Sequence, residues 1–209
     1  MQLLDRIDRS GVEEIEVRDY DAGDIGVFVD YWHDRRTEHI RDMGVCQDRL
    51  PDREAMTAAL ALGLETAGRA GARSRLRVVA IRWRNRTVGF HQVTNLNRQE
   101  GSAIMHAYII DACCRGKGLG TISYVKAMDL FFRRFDLNFI DFHTPDRSGP
   151  ATRIKQKLGI LPIGKTTIDL PFLIKPLAAT RYRVHAHELP RLRRRMFALA
   201  GGVWPGARP

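Results

Sequence analysis

Cysteine is scarce: three in 209 residues, Cys46, Cys113 and Cys114, with no C-x-x-C pair. So small and poorly spaced a set excludes a disulfide framework and a zinc ribbon. The vicinal Cys113 and Cys114 read as two small reduced side chains at a strand end, with a redox switch as the alternative. Long hydrophobic runs are missing too. No apolar stretch approaches the roughly 18 to 20 residues that span a bilayer, and Met1 to Ser10 alternates charge with Leu and Ile, unlike a secretory segment. A cytoplasmic protein is expected. No repeat or low-complexity linker divides the chain. His185 and His187 stand two apart without a third ligand type in a ligand-like spacing, so they read as structural or solvated and no metal site is expected.

What is there is a globular composition, 44% apolar and 28% charged, long enough for one domain with its own core. Lys and Arg number 34 against 24 Asp and Glu, a formal charge of +10. Seven arginines against one glutamate lie from Arg181 onward, so most of the excess sits near the end. The expected organisation is a domain over 1–189 and a basic tail over 190–209. In that tail Arg191, Arg193, Arg194 and Arg195 stand beside Leu192, Met196 and Leu199 at helical spacing. Two readings follow: a solvated charged face packed on its own domain, or a surface for nucleic acid, an anionic membrane or an acidic partner.

Periodicity orders the elements. Glu13 to Arg18 alternates like an edge strand, and Gly23 to Arg36 carries Ile25, Phe28, Val29 and Trp32 at helical spacing. Met43 to Arg49 reads as a loop. Pro51-Asp52-Arg53-Glu54 then opens a helix with Met56, Leu60 and Leu64 on one side. From Leu76 to Ile110 the period becomes two, giving strands at Leu76 to Trp83, Thr87 to Thr94 and Ala103 to Ile110, joined by turns short enough to require an antiparallel meander. A helix with Ile122, Val125, Met128, Phe132 and Phe135 in a stripe follows, then a strand at Phe139 to His143 and a helix with Ala151, Ile154 and Leu158 inward. Extended stretches at Leu161 to Asp169 and Arg181 to His187 complete a mixed sheet with helices packed on it, an α/β domain.

Between the third meander strand and the next helix lies Arg115-Gly116-Lys117-Gly118-Leu119-Gly120. A helix N-terminus presents unpaired N–H groups and a positive dipole end, and glycines let phosphate oxygens approach the backbone. The spacing is neither that of a Walker loop nor a dinucleotide fingerprint, because Thr121 stands where a further glycine would be needed. The competing reading is a tight strand-to-helix turn with exposed cations.

Arg115-Gly116-Lys117-Gly118-Leu119-Gly120 after Ile109-Ile110 resembles the acetyl-coenzyme A signature (Q/R)-x-x-G-x-(G/A) of the GNAT N-acetyltransferases. Ala151 and Lys157-Leu158-Gly159 fall where that family has an alanine and a K-L-G-F ending, and the element order agrees from about Glu13 to His187. The resemblance implies a mostly antiparallel central sheet with helices on both faces, and acetyl-CoA as co-substrate. Ile109 and Ile110 would offer backbone groups to the pantetheine arm, and Arg115, Gly116, Lys117, Gly118, Leu119, Gly120 and Thr121 would cradle the pyrophosphate. The implied reaction is direct attack of a primary amine, on a small molecule or peptide, at the thioester.

Such a transfer needs a base for the amine and a proton for the thiolate. His106 is the favoured base, on the strand entering the loop where the family often has a glutamate; a hydrogen-bonded histidine of a half-buried sheet is the other reading. His91, His143 and Glu100 are weaker candidates. Where the family places a tyrosine acid, this chain has Lys155, and Ser148 and Ile160 also depart from the pattern. The acceptor pocket is expected at Tyr31, Trp32, His33, Arg35, Arg36 and the Met43 to Leu50 loop, with Phe28 and Trp32 better explained by packing of the helix on the sheet. With no consistent acidic cluster there, an uncharged or carboxylate-bearing amine fits better than a polycation. The rival from another class is a noncatalytic module of the same fold that binds an anionic partner or nucleic acid through its arginine-rich tail.

Overall fold

Connections in the middle of the chain are too short for a crossover, so the strands there must pair with their sequence neighbours. The computed structural model describes residues 13–34, 38–69 and 76–200. In it β1 (Ile15–Asp19) leads to α1 (Ala22–His33), α2 (Glu38–Asp42) and α3 (Arg53–Arg69). The meander is β2 (Val78–Trp83), β3 (Arg86–Asn97) and β4 (Ser102–Ile109). Then come α4 (Leu119–Phe135), β5 (Phe139–Pro145), α5 (Gly149–Leu158), β6 (Pro162–Ile168), β7 (Leu177–His185) and α6 (Leu189–Leu199). The sheet order is β1-β2-β3-β4-β5-β7-β6, and every pairing is antiparallel except β4 with β5.

Local chemistry sets the boundaries. Asp21 caps α1 in a capping box with Asp24. The Asp24 carboxylate, 2% exposed, also takes Arg18 at 2.9 Å and the Thr87 hydroxyl, which ties α1 to β1 and β3. Arg84 and Asn85 both hold positive φ, 49° and 59°, as a two-residue hairpin of right-handed twist requires. Residues 43–49, expected as loop, hold the 3-10 turn Gln47–Arg49 and a bridge from Val45 to Leu173. Strand β7 starts at Leu177 rather than Arg181, because the small Ala178 and Ala179 hide its alternation. Cys113 and Cys114 sit in a 3-10 turn, Ala112–Cys114, after β4, the first exposed and the second buried.

Neighbouring strand residues point to opposite faces, and each face has its own core. On one, Val79, Ile81, Met105, Ile140 and Phe142 pack under the α4 residues Ile122, Val125 and Met128. On the other, Ala80 and Phe90 meet Phe28, Val29 and Tyr31 of α1. Helix α6 belongs to the first core: Leu189, Leu192 and Met196 are buried there. Three of its four arginines bond back to the domain. Arg191 donates to the Leu158 and Gly159 carbonyls at 3.4 and 3.2 Å, Arg195 donates to Lys157 O, and Arg193 pairs with Asp129 of α4. Cations thus close the C-terminus of α5, where unpaired carbonyls and the negative dipole end favour them. The division expected at 189/190 falls at the first residue of this packed helix.

Candidate active site

The parallel pairing of β4 with β5 is short. It runs through Ser102, Ala103 and Ile104 against Phe139, Ile140 and Asp141, and there it stops. Beyond that point β4 stays with β3 as far as Ile109, and β5 stays with β7 as far as Pro145, so a cleft opens between them. Gly89 permits the close approach of β3 to β4, since a Cβ there would lie 2.2 Å from the Tyr108 carbonyl oxygen.

At the head of the cleft stands the glycine loop. Gly116 and Gly118 have φ of +79° and +97°, and an added Cβ on either would meet nothing within 4 Å, so open space lies before the backbone. Gly118 is the N-cap of α4 and supplies no side-chain bond. The N–H groups of residues 116–120 donate to no protein acceptor among the described residues; the first bonded amide is Thr121, to Gly118 O at 3.0 Å. Five adjacent unbonded donors at a helix start are the chemistry that an anion-binding turn requires. Gly120 has a packing role: a Cβ there would sit 3.1 Å from Ile154 Cδ1 of α5. The buried Leu119 side chain anchors the helix in the core.

The loop's cations differ from each other. Arg115 folds back, its Nε 3.2 Å from Ile109 O and its Nη2 3.4 Å from Ile110 O. It closes the strand end, while Lys117 Nζ lies 5.5 Å from the centroid of the Trp83 ring with no acidic partner among the described residues. The Ile110 N–H is also taken, by Val88 O at 2.9 Å. Ile109 and Ile110 therefore stand at the cleft, but these two carbonyls and this amide already have partners.

His106 lies on β4 just past the last β4–β5 pair, half-buried, with Nε2 2.9 Å from Thr94 Oγ1. Burial, then the nearby His143 and Lys155, lower its pKa to about 4, so the ring is neutral at pH 7. His143 faces the cleft from β5, its pKa also lowered by burial. His91 is fully buried on the α4 side, with Nε2 3.0 Å from Ser123 Oγ, and burial drops its pKa to about 3. Glu100 sits in the β3–β4 turn, exposed, accepting from Ser102 Oγ at 2.8 Å. Tyr108 stacks on Phe90 with centroids 4.6 Å apart, and burial pushes its phenol up to about 12.

Lys155 is the unexpected group. Only 4% exposed, it projects from α5 into a cage of rings, with Nζ 4.7 Å from the centroid of Tyr124, 5.3 Å from Phe142 and 5.9 Å from Tyr182. No carboxylate pairs with it among the described residues. Ring faces offset part of the lost hydration, yet burial still lowers the ammonium pKa to about 7. Beside it the Tyr124 hydroxyl and His91 Nδ1 are buried without hydrogen-bond partners. Unsatisfied polar groups thus collect behind the cleft, which is unusual for an interior. The signal was in the sequence: Ala151, Lys155 and Leu158 are spaced four and three, on one helix face.

The expected acceptor residues divide. Tyr31 and Trp32 pack with Phe90 and Tyr108 in an aromatic cluster. His33 lines a cavity of about 590 Å³ beside Ile110, with Tyr31, Asp30, Asp34 and Arg53. Arg35 and Arg36 lie outside the described residues. A second cavity, about 340 Å³, sits below the cleft and was not foreseen; Ile104, Asp141, His143, Arg181 and Arg183 are among its walls.

No protein-family model matches the chain, and no curated protein matches it by sequence. Solved structures do match. RimJ of Mycobacterium smegmatis, in complex with CoA-disulfide, aligns with TM-score 0.66 at 16% identity, over 90% of this chain and 89% of that one. Spermidine N-acetyltransferase from Vibrio cholerae, in complex with CoA and spermine, gives 0.63 at 15%, over 85% and 99%. A probable acetyltransferase gives 0.64 at 15%, over 84% and 95%. At such identities the likeness is one of fold, and the fold is that of the GNAT acetyltransferases. Among the described residues no helix is long and apolar enough to cross a membrane.

Proposed function

We propose that this protein is an acyl-CoA dependent N-acyltransferase of the cytoplasm, moving an acetyl group from acetyl-CoA to a primary amine by direct attack. The observation that carries the reading is the row of unbonded amides at residues 116–120, facing open space at the head of a cleft between parting strands. Gly116, Lys117, Gly118, Leu119 and Gly120 would hold the pyrophosphate through backbone N–H groups, with Lys117 adding charge. Arg115, Ile109 and Ile110 would shape the strand end, and Thr121 would fix the first turn of α4. Acetyl-CoA supplies an activated acyl carbon and a thiolate that can leave.

The remaining work falls to two side chains. When Nε2–H of His106 donates to Thr94 Oγ1, Nδ1 presents a lone pair. A base of pKa about 4 cannot strip an alkylammonium of pKa ~10.4, so the acceptor must arrive as the free amine. After its lone pair has bonded to the acyl carbon, the nitrogen is far more acidic, and its proton passes to His106. Lys155 acts on the other side of the sheet. A buried ammonium of pKa about 7, without a carboxylate partner, is well matched to give its proton to a departing thiolate whose conjugate acid lies near ~8.5.

A noncatalytic module acting through the arginine-rich helix has less support, since Arg191, Arg193 and Arg195 are spent on α5 and α4. Amine-dependent release of thiol from acetyl-CoA tests the enzyme reading. Turnover supports it, whereas salt-sensitive oligonucleotide binding without turnover supports the module.

A further inference from the structure

The cavity below the cleft is built on a register. Asp141 faces Arg183 and His143 faces Arg181 across β5 and β7, so all four side chains share one face of the sheet. It is the face opposite Phe142 and Tyr182, whose rings cage Lys155 on the far side. Ile104 and Asp141, the last β4–β5 pair, both line the cavity, which places it where the strands part.

Its charges are unequally committed. Arg183 grips Asp141 with two bonds, 2.7 and 2.9 Å, and its guanidinium stacks 3.6 Å from the centroid of the Phe139 ring. Among the described residues Arg181 reaches the same carboxylate only through Nη2 at 3.4 Å, its Nε is buried without a partner, and no bond is made by its Nη1. More than a third of that side chain is exposed, at the cavity wall. Asp141 is already neutralised by Arg183, so Arg181 is a cation with donors to spare. Glu100 is the other acid of the wall, held by Ser102. Two acids face two arginines in this wall, and the loosely held guanidinium of Arg181 suits the carboxylate of an acceptor whose amine arrives uncharged. Guanidinium is the side chain best shaped for a carboxylate.

Position then limits size. Where β4 and β5 still pair, β7 lies two strands from β4, roughly 10 Å by ordinary strand spacing. His143 stands directly opposite Arg181 on the same face, just past the last β4–β5 pair, so an amine only a few bonds from a carboxylate on Arg181 lies near His143 and the parting of the strands.

We propose that this cavity is the acceptor site and that it takes a small amino acid, with the carboxylate on Arg181 and the amine directed into the cleft. The inference rests on the acyltransferase reading for its reaction, though not for its binding. The test uses glycine, alanine and β-alanine, their amides, and spermidine as a polycation. Free amino acids should support thiol release with KM at least tenfold below that of the amides. Arg181→Gln should raise KM for the acids at least tenfold and for the amides by much less, with acetyl-CoA affinity kept; Arg181→Lys should recover part of the loss. Arg183 keeps Asp141 paired in both variants, and their melting temperatures check that the fold is retained. Saturation-transfer NMR of the amino acids with the protein alone should show binding that Arg181→Gln abolishes. Equal use of acids and amides, a preference for spermidine, or amino-acid binding indifferent to Arg181 would overturn the proposal. Failure of acetyl-CoA to bind, with amino-acid binding intact, would remove the acyltransferase reading alone.

Discussion

Replacing Lys155 with methionine keeps the volume and the contact with three rings while deleting the buried amine. Lowering its pKa from 10.5 to about 7 means that folding disfavours the ammonium form. Below pH 7 both folded and unfolded chains carry the proton, and the folded state bears the full cost, about 5 kcal/mol. As pH rises through 7 the folded amine loses its proton while the unfolded one keeps it, and by pH 9 about 2 kcal/mol remains. Lys155→Met should therefore be the more stable protein at pH 6, with a lead that shrinks by about 3 kcal/mol at pH 9. His91 and His106, with pKa about 3 and about 4, stay neutral in the folded protein while titrating near ~6.5 in the unfolded chain, a slope common to both proteins that cancels from their difference. Urea unfolding followed by tryptophan fluorescence at pH 6, 7.5 and 9 measures the difference. A gap that does not change with pH, or a variant less stable at pH 6, would refute the buried, unpaired ammonium.

The same lysine predicts that kcat falls as pH rises above about 7, and that Lys155→Met loses this dependence along with most of its rate. His106→Ala should lower kcat about 100-fold while shifting acetyl-CoA affinity little, since general bases contribute on this scale; an unchanged rate would remove His106 from the mechanism. Leu192→Ala should cost about 2 to 5 kcal/mol, because this fully buried residue of α6 fills the main core. A loss well under that in chemical denaturation would mean that α6 is not part of the cooperative fold.

What could be read from the sequence was what local periodicity and backbone chemistry determine. The meander, the helix with its buried Ile122, Val125 and Met128, and the glycine turn all rest on contacts within a short stretch of chain. The direction of side chains at the site was harder to read. Arg115 carries charge beside the row of unbonded amides, yet its guanidinium turns to the carbonyls of Ile109 and Ile110, which the strand end leaves open. The arginines of α6 were visible as a cluster, but the partners of Arg191 and Arg195 are carbonyls of Lys157, Leu158 and Gly159, and that of Arg193 is Asp129, all far earlier in the chain and brought near only by packing. The lower cavity depends on β7 lying between β5 and β6, a non-local pairing that sets Arg181 beside His143. Lys155 stood on the inner helix face by spacing alone, and only the three rings around it, from α4, β5 and β7, explain why its proton is loosely held.

Isothermal titration of acetyl-CoA into the wild-type protein and Gly118→Val bears most directly on the whole account. A side chain at φ +97° is strained and would fill the space before the amides. One-site binding that weakens at least tenfold in the variant is the predicted result. No heat of binding in the wild type, or the same Kd in both proteins, would contradict it.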